Sequence, residues 1–130
     1  MDGLPRHKSV VYVVDDDSAV RDSLKFSLEL EGYRVVTCAG GAEMLAVPAL
    51  AAEGCLVLDY HLHDMNGLDL LEILRTRHVA LPAILVTSHP QVAVRRRAEA
   101  KGVPIVEKPL LGNALMDCIQ RAMTTPQPAA

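Results

Sequence analysis

Five short runs rich in Val, Leu and Ile are spaced along the chain, and most of them contain no polar residue until they end. They lie at residues 10–14, 34–38, 55–58, 83–86 and 103–106. A strand with one solvated face alternates apolar and polar residues, whereas a strand covered on both faces is continuously apolar. The runs therefore predict a parallel sheet buried between two layers of helices.

The segments between the runs have the apolar spacing of helices. Helices are predicted over residues 18–31 and 68–75, in the stretch that ends at Lys101, and in a last segment whose apolar residues are Leu111, Leu115, Cys118, Ile119 and Ala122. Gly32, Gly54 and Gly102 each precede a strand, which predicts glycines that end helices in a left-handed conformation. Five strand–helix units in succession imply an open α/β sheet with right-handed crossovers.

The length and composition exclude several classes of protein. A chain of 130 residues has room for one domain. Half of the residues are hydrophobic and 22% are charged, which excludes a disordered chain. The four aromatic residues and the net charge of −3 argue against direct nucleic-acid binding, which needs stacking rings or a basic surface.

Two further features bear on the location of the protein and on its cysteines. The first apolar run is five residues long, far short of a membrane span, and no signal peptide precedes it, so we expect a cytoplasmic protein that makes no membrane contact. Cys38, Cys55 and Cys118 have no Cys-x-x-Cys spacing, which favours buried thiols over a disulfide or a zinc site.

Reactive or ionic residues follow four of the five runs. They are Asp15 to Asp17, Asp59, Thr87 and Lys108. Ligands of open α/β sheets bind beyond the carboxyl ends of the strands, so these residues are expected at one edge. Clustered carboxylates suit Mg²⁺, and a hydroxyl and an ammonium group can hold phosphoryl oxygens. Asp17 taken alone is more typical of a helix cap, and the site prediction depends on the joint pattern.

The same residues carry a resemblance to a known family. The segments Val13-Val14-Asp15-Asp16-Asp17-Ser18, Leu58-Asp59, Val86-Thr87-Ser88 and Glu107-Lys108-Pro109 resemble the receiver domain of two-component response regulators, and in detail the nitrogen-fixation-type regulators. The resemblance covers residues 9–123 and leaves residues 124–130 as a tail or linker. It implies a flavodoxin-like fold of five parallel strands in the order 2-1-3-4-5, with helices on both faces.

The resemblance also implies roles for the acidic residues. Asp59 would accept a phosphoryl group from a sensor histidine kinase or a phosphotransfer protein. Asp16, Asp59 and the backbone carbonyl of His61 would bind Mg²⁺, and Asp15 would act mainly through a metal-bound water. The chain would then be a phosphorylation-dependent switch that could form a phosphorylation-dependent dimer, and it would catalyse only its own phosphotransfer and dephosphorylation.

The strands that follow would hold and report the phosphoryl group. The family implies that Lys108 pairs with Asp59 and then with the phosphoryl oxygens, and that Thr87 moves to bond the same group. Pro109 would follow a cis peptide bond; from the residues alone it could equally open a helix. Ile105 departs from the family, which usually has Tyr, Phe or His there, so the readout is expected to differ from the usual ring rotation.

Two histidines and one loop are further features of the expected site. His61 and His89 each lie two positions after a site residue, and we hypothesise that they influence water access to phosphorylated Asp59, which would make its lifetime depend on pH. The alternative is a pair of solvent-facing loop residues. His63 stands where many relatives have proline, which predicts a less rigid loop. The run Arg95 to Arg97 favours a solvated helix face over a site for an acidic partner.

Three other functions would use some of the same residues. Asp15-x-Asp17 resembles the start of a haloacid-dehalogenase phosphatase, but the longer chain and second acidic pair of that family are missing. Asp59-x-His61 resembles the cobalamin-binding motif, but Asp64 stands where that motif needs glycine. A pseudo-receiver that serves only as an interaction module stays open because of Ile105. The cognate kinase and the downstream protein target have no signal in the sequence.

Overall fold

The fold follows from a computed structural model, which describes residues 9–110 and 112–124. Strands and helices alternate along the chain, in the order β1 (Val10–Val14), α1 (Ser18–Leu30), β2 (Arg34–Cys38), α2 (Gly41–Leu45), β3 (Gly54–Asp59), α3 (Gly67–Thr76), β4 (Ala83–Thr87), α4 (Val92–Ala100), β5 (Ile105–Glu107) and α5 (Ala114–Thr124). The strands form one sheet in the order β2-β1-β3-β4-β5, and every neighbouring pair is parallel. The predicted fold class and strand order are confirmed.

The register places β1 between β2 and β3. Val10–Val14 pairs residue by residue with β2 on one side and with β3 on the other. Every residue of β1, β3 and β4 is buried, as their continuous apolar character predicts. The edge strand β2 instead alternates exposed and half-buried residues until Cys38.

Alternate residues of each central strand enter two separate apolar layers. Val10, Tyr12 and Val14 join the layer that contains Met44 of α2 and Leu71 of α3. The intervening Val11 and Val13 face the other layer, with residues of α1 and α5, namely Leu28, Leu115, Cys118 and Ile119. Helices α1 and α5 thus cover one face of the sheet, and α2, α3 and α4 cover the other.

The glycine predictions are right at two positions and wrong at one. Gly32 and Gly102 adopt left-handed backbone angles, with φ of 95° and 69°, immediately after α1 and α4. Gly54 ends no helix, because α2 stops at Leu45 and Gly54 is the first residue of β3. A Cβ atom there would collide with the carbonyl oxygen of Val10, so glycine lets β3 approach β1 closely.

Other differences from the sequence expectation are small. Strand β5 begins at Ile105 rather than at residue 103, since Pro104 has no N–H to donate to the ladder. The peptide bond between Lys108 and Pro109 is cis, as the family resemblance implies. All three cysteines are buried free thiols. Leu111 and most of the expected tail, residues 125–130, lie outside the described residues.

Candidate functional site

Two carboxylates, those of Asp15 and Asp16, follow directly after β1, and helix α1 begins at Ser18. The backbone N–H of Asp15 donates to Cys38 O at 3.1 Å, which extends the pairing with β2. The Asp15 carboxylate is buried and accepts the N–H of Asp17 at 2.9 Å, whereas Asp16 is exposed. Asp17 caps α1 by accepting the N–H groups of Ala19 and Val20. Asp17 therefore acts as the helix cap that its position predicts, with its carboxylate directed to the helix start.

Asp59 ends the neighbouring strand β3 and completes an acidic cluster. The residue is 4% exposed. One carboxylate oxygen from each of Asp15, Asp16 and Asp59 lies within 4.8 Å of the other two. Parallel pairing of β1 with β3 brings these residues together although they are more than forty positions apart. Closely spaced carboxylate oxygens with one exposed member fit Mg²⁺, which takes few protein ligands and keeps several waters.

Lys108 reaches this cluster from the end of β5. Its ammonium group lies 3.1 Å from Asp59 Oδ2 and 3.2 Å from Asp15 Oδ2. The N–H of Lys108 donates to Thr87 O at 2.9 Å, which continues the β4–β5 pairing up to the site. One lysine thus bridges two buried carboxylates that come from different strands.

The acidic cluster has a shortage of positive charge. Burial, and then the neighbouring Asp15 carboxylate, raises the pKa of Asp59, although Lys108 and the backbone of His61 act in the opposite direction. Burial lowers the pKa of Lys108, but the Asp59 and Asp15 carboxylates outweigh it and hold that pKa above its ordinary value. Both shifts favour an added proton, because several carboxylates face one ammonium group. A divalent cation would supply the missing charge.

Thr87 and Ile105 lie on the same face of the sheet, on adjacent strands. Thr87 is buried, and its hydroxyl makes a weak hydrogen bond to Ser88 O at 3.5 Å. Ile105 is half-buried and packs against the apolar layer of α2, α3 and α4. Its ladder partner Leu85 is two residues before Thr87. The Thr87 hydroxyl is therefore bonded loosely enough to exchange partners, and the neighbouring side chain is aliphatic.

The two histidines are exposed side chains in the loops that leave the site. The ring of His61 lies edge-on to Tyr60 with 4.9 Å between the ring centroids. His89 has a positive φ of 45°, a left-handed conformation that few residues other than glycine adopt. Both side chains are exposed. Exposure is compatible with both interpretations of these histidines, an influence on water access to Asp59 and an ordinary position in a solvent-facing loop.

Some contacts of the site had no signal in the sequence. From helix α1, the guanidinium of Arg21 donates a hydrogen bond to Asp15 O at 2.7 Å. Asp64, in the loop after β3, accepts hydrogen bonds from the start of α2. In the arginine run, Arg95 pairs with Glu107 and Arg97 pairs with Asp69 and Glu72, all within this chain. The Arg97 pairs join α4 to α3, and the Arg95 pair joins α4 to the end of β5, so residue spacing alone does not reveal them.

Comparison with known proteins gives a consistent family match. Residues 11–120 match the family described as response regulator receiver domain. The chain is 38% identical over 110 residues to the C4-dicarboxylate transport transcriptional regulatory protein DctR of Rhodobacter capsulatus, covering 82% of this chain and 56% of that protein. It is 34% identical over 125 residues to the transcriptional regulatory protein FixJ of Bradyrhizobium diazoefficiens, covering 95% and 60% respectively. The chain thus spans less than two thirds of these relatives.

Solved structures agree with that match. The crystal structure of FixJ-N superposes with a TM-score of 0.80 at 30% identity, covering 93% of this chain and 98% of that one. The non-phosphorylated HemR receiver domain of Leptospira biflexa gives a TM-score of 0.84 at 27% identity, covering 95% and 100%. Among the described residues, no helix combines the length and apolar character needed to cross a membrane.

Proposed function

The chain belongs to the response regulator receiver domain family, and we propose that Asp59 is its phosphoryl acceptor. In this proposal the chain is the switch of a two-component system, and a sensor histidine kinase or a phosphotransfer protein donates the phosphoryl group. The observation that carries the proposal is the bridge from Lys108 to two buried carboxylates beside the acidic cluster. Such a site combines a nucleophile with the charge needed to hold a phosphoryl group.

The proposed transfer uses a carboxylate that needs no general base. An oxygen of Asp59 forms the new bond to phosphorus while the bond from phosphorus to the donor nitrogen breaks, and the electron pair of that bond stays on the nitrogen. Lys108 turns from the carboxylate to a phosphoryl oxygen as negative charge collects there. Burial and the Asp15 carboxylate raise the pKa of Asp59, whereas Lys108 acts in the opposite direction, so a cationic partner favours the ionised form that forms the new bond.

The residues that would hold Mg²⁺ are Asp16, Asp59 and the backbone carbonyl of His61, with Asp15 acting through a metal-bound water. When bound, Mg²⁺ would neutralise charge on the phosphoryl oxygens. The spacing of the carboxylate oxygens and the exposure of Asp16 support this assignment, since an exposed ligand leaves room for coordinated water.

For the readout, Thr87 would exchange its weak bond to Ser88 O for a bond to the phosphoryl group. Ile105 offers neither a ring nor a hydroxyl, so we propose that the signal leaves through the segment after β4 and through α4. This is a shift between two conformations that the phosphoryl group favours unequally. The exposed His61 and His89 would influence how readily water reaches the phosphorylated Asp59.

The wider setting is inferred from the family. We propose a cytoplasmic location, a protein target and a phosphorylation-dependent dimer, with no direct contact of this chain with nucleic acid or membrane. The names of the relatives describe transcriptional regulation, and transcriptional control is the output that we propose.

A phosphorylation assay tests the proposal directly. The protein is incubated with acetyl phosphate and Mg²⁺, and incorporated phosphate is quantified together with its sensitivity to hydroxylamine, which cleaves acyl phosphates. Asp59→Asn should abolish incorporation, whereas Asp15→Asn should only slow it. Loss of a stable acyl phosphate with Asp15→Asn alone would instead favour the dehalogenase-like phosphatase. Absence of incorporation in the unaltered protein would favour the pseudo-receiver.

A further inference from the structure

The loop from residue 60 to residue 66, called here the β3–α3 loop, carries one of the expected metal ligands and is closed at its base. Tyr60 O accepts the N–H of Gly67 at 2.8 Å, and His61 and Asn66 form an isolated antiparallel bridge. The N–H of Tyr60 donates to Val86 O at 2.9 Å. The ends of the loop are thus attached to the sheet directly beside Asp59.

The tip of the same loop has no proline ring to restrain its backbone. Residues 60–66 contain no proline, so no backbone φ angle in the loop is fixed by a ring. The conformation of the tip, which is continuous with His61 at the base of the loop, is therefore set by what the tip contacts.

Asp64 supplies that contact by bonding to the start of α2. Its Oδ1 accepts the N–H of Gly41 at 3.0 Å, and its Oδ2 accepts the N–H of Ala42 at 2.9 Å. These two hydrogen bonds hold the pKa of Asp64 below its ordinary value, so the carboxylate stays charged and its bonds are charge-assisted. Strands β2 and β3 flank β1, so Asp64 links the chain segments on both sides of the strand that carries Asp15.

Two consecutive glycines allow the loop to approach α2 this closely. A Cβ atom on Gly40 would lie 2.5 Å from Cε1 of His63, and one on Gly41 would lie 2.5 Å from Sδ of Met65. Neither glycine has a positive φ, so the backbone conformation does not require them. The loop tip thus packs closely on both glycines through the ends of the His63 and Met65 side chains.

We propose that Asp64 is a positioning residue of the phosphoacceptor site, because its bonds to the start of α2 hold the β3–α3 loop and with it the His61 carbonyl. This inference rests on the proposed function, since it assigns Asp64 a part in preparing the same site. Groups that orient metal ligands from outside the coordination shell commonly change metal affinity when they are removed.

The test compares Asp64→Ala and Asp64→Asn with the unaltered protein. Mg²⁺ affinity is measured by calorimetric titration without phosphodonor, and amide hydrogen exchange is measured without metal. Asp64→Ala should weaken Mg²⁺ binding by about 10-fold, the lower end of the usual range for such groups, and should speed exchange at Gly41, Ala42 and the loop. Asp64→Asn keeps one acceptor oxygen, so its Mg²⁺ affinity and its exchange rates should lie between those of Asp64→Ala and those of the unaltered protein. Asp22→Ala removes an exposed carboxylate on α1 and is the charge-matched control.

The outcomes separate this inference from the proposed function. Faster loop exchange together with weaker Mg²⁺ binding, for Asp64→Ala but not for Asp22→Ala, supports the positioning role. Unchanged Mg²⁺ affinity overturns it, even if exchange at α2 becomes faster, because Asp64 would then be a helix cap only. If the unaltered protein binds Mg²⁺ but takes no phosphate, the proposed function fails while both measurements still decide the role of Asp64.

Discussion

The two halves of the carboxyl edge of the sheet differ in how firmly their side chains are held. At the ends of β1 and β3, Asp15 and Asp59 are buried and both are paired with Lys108 at 3.1–3.2 Å. At the end of β4, the Thr87 hydroxyl makes only a 3.5 Å bond to the next carbonyl. The nearby helix α4 has Ala98 as its buried residue and is joined to its neighbours by exposed ion pairs.

Under the proposed function, the two halves would have separate tasks. Phosphoryl transfer needs charges that are already in position, and in this proposal Asp15, Asp59 and Lys108 would provide them. A switch needs an element whose alternative position costs little, and exposed ion pairs contribute about 0–1 kcal/mol each. With Ile105 in place of a ring, the weakly held α4 is the element best suited to respond.

The largest effect is expected from removing the cation of the firmly held half. Lys108→Ala should slow phosphorylation by acetyl phosphate by about 10²–10³-fold, the usual loss when one group that stabilises transition-state charge is removed. The initial rate of phosphate incorporation at saturating Mg²⁺ measures this. The pKa of Asp59 should also rise further, because Lys108 is one of the groups that lowers it.

A second lysine provides the control for that variant. Lys101 pairs with Glu72 at 3.0 Å on the outer surface of α3 and α4, far from the acidic cluster in the fold. Lys101→Ala should therefore leave the phosphorylation rate unchanged. Equal rates for Lys108→Ala and the unaltered protein would contradict the division between the two halves.

A smaller effect, on response rather than on transfer, is expected at Thr87. Thr87→Val keeps the shape of the side chain and should still allow phosphate incorporation. A hydrogen bond to a charged group contributes about 1.5–3 kcal/mol, so phosphorylation should favour the altered conformation about 10–100-fold less. Amide hydrogen exchange across α4, with and without phosphorylation, measures that change.

Two companion variants make the readout prediction sharper. Thr76→Val removes another threonine hydroxyl, one that donates to Ile73 O within α3, and should respond like the unaltered protein. Ile105→Val should also keep the response of α4, because position 105 contributes no hydroxyl or ring to lose. A response that disappears with Ile105→Val would show that this side chain carries the signal after all.

The sequence contained most of the fold because its local patterns agree with one another. The bounds of β1 and β2 are those of the apolar runs, and Gly32 and Gly102 end helices as predicted. The error at Gly54 has a physical reason, since its role is to admit the Val10 carbonyl of a strand forty-four residues earlier. The strand order came from the family resemblance rather than from residue patterns.

The candidate site was predictable where backbone topology alone brings residues to one edge of the sheet. Asp59 and Thr87 end parallel strands, and Asp15 and Lys108 come directly after two others, so their placement at one edge follows from the sheet. The contact of Asp64 with α2 depends on how the loop tip packs, across more than twenty residues, and no spacing encodes it. Side-chain packing between loops is thus the level at which the sequence stops being informative.

A moderate effect on stability is expected from neutralising the acceptor. Because the folded-state pKa of Asp59 is raised, the folded protein binds this proton more tightly than the unfolded chain does, and stability falls as pH rises from the unfolded pKa through the raised one. Asp59→Asn should therefore increase the free energy of unfolding at neutral pH without Mg²⁺, by about 1 kcal/mol, an ordinary size for one substitution. Denaturant unfolding measures it.

Added Mg²⁺ provides a second test of the predicted change in stability of Asp59→Asn. The cation should stabilise the unaltered protein more than Asp59→Asn, since a ligand that binds only the folded state shifts unfolding in proportion to its affinity. Asp22→Asn on the exposed face of α1 should show neither effect. Destabilisation by Asp59→Asn at neutral pH would mean that the pair with Lys108 outweighs burial and the Asp15 charge.

The smallest effect is expected from the exposed histidines. His61→Ala and His89→Asn should each change the rate of dephosphorylation by about threefold, a fraction of the 10²–10⁴-fold that full general acid–base catalysis gives. Asparagine is chosen at position 89 because it tolerates the left-handed backbone of His89, whereas alanine would add strain. The lifetime of the phosphorylated protein, followed by loss of acid-labile phosphate at several pH values, measures the effect.

The chain supplies a matched control for the backbone at position 89. His78 is also exposed and left-handed, with a φ of 66°, but it follows α3 at the opposite end of the sheet. His78→Asn makes the same change far from Asp59 and should leave the lifetime unaltered at every pH. If His61→Ala and His89→Asn behave like His78→Asn, both site histidines are ordinary surface residues, and access of water to phosphorylated Asp59 is set by the firmly held half of the edge alone.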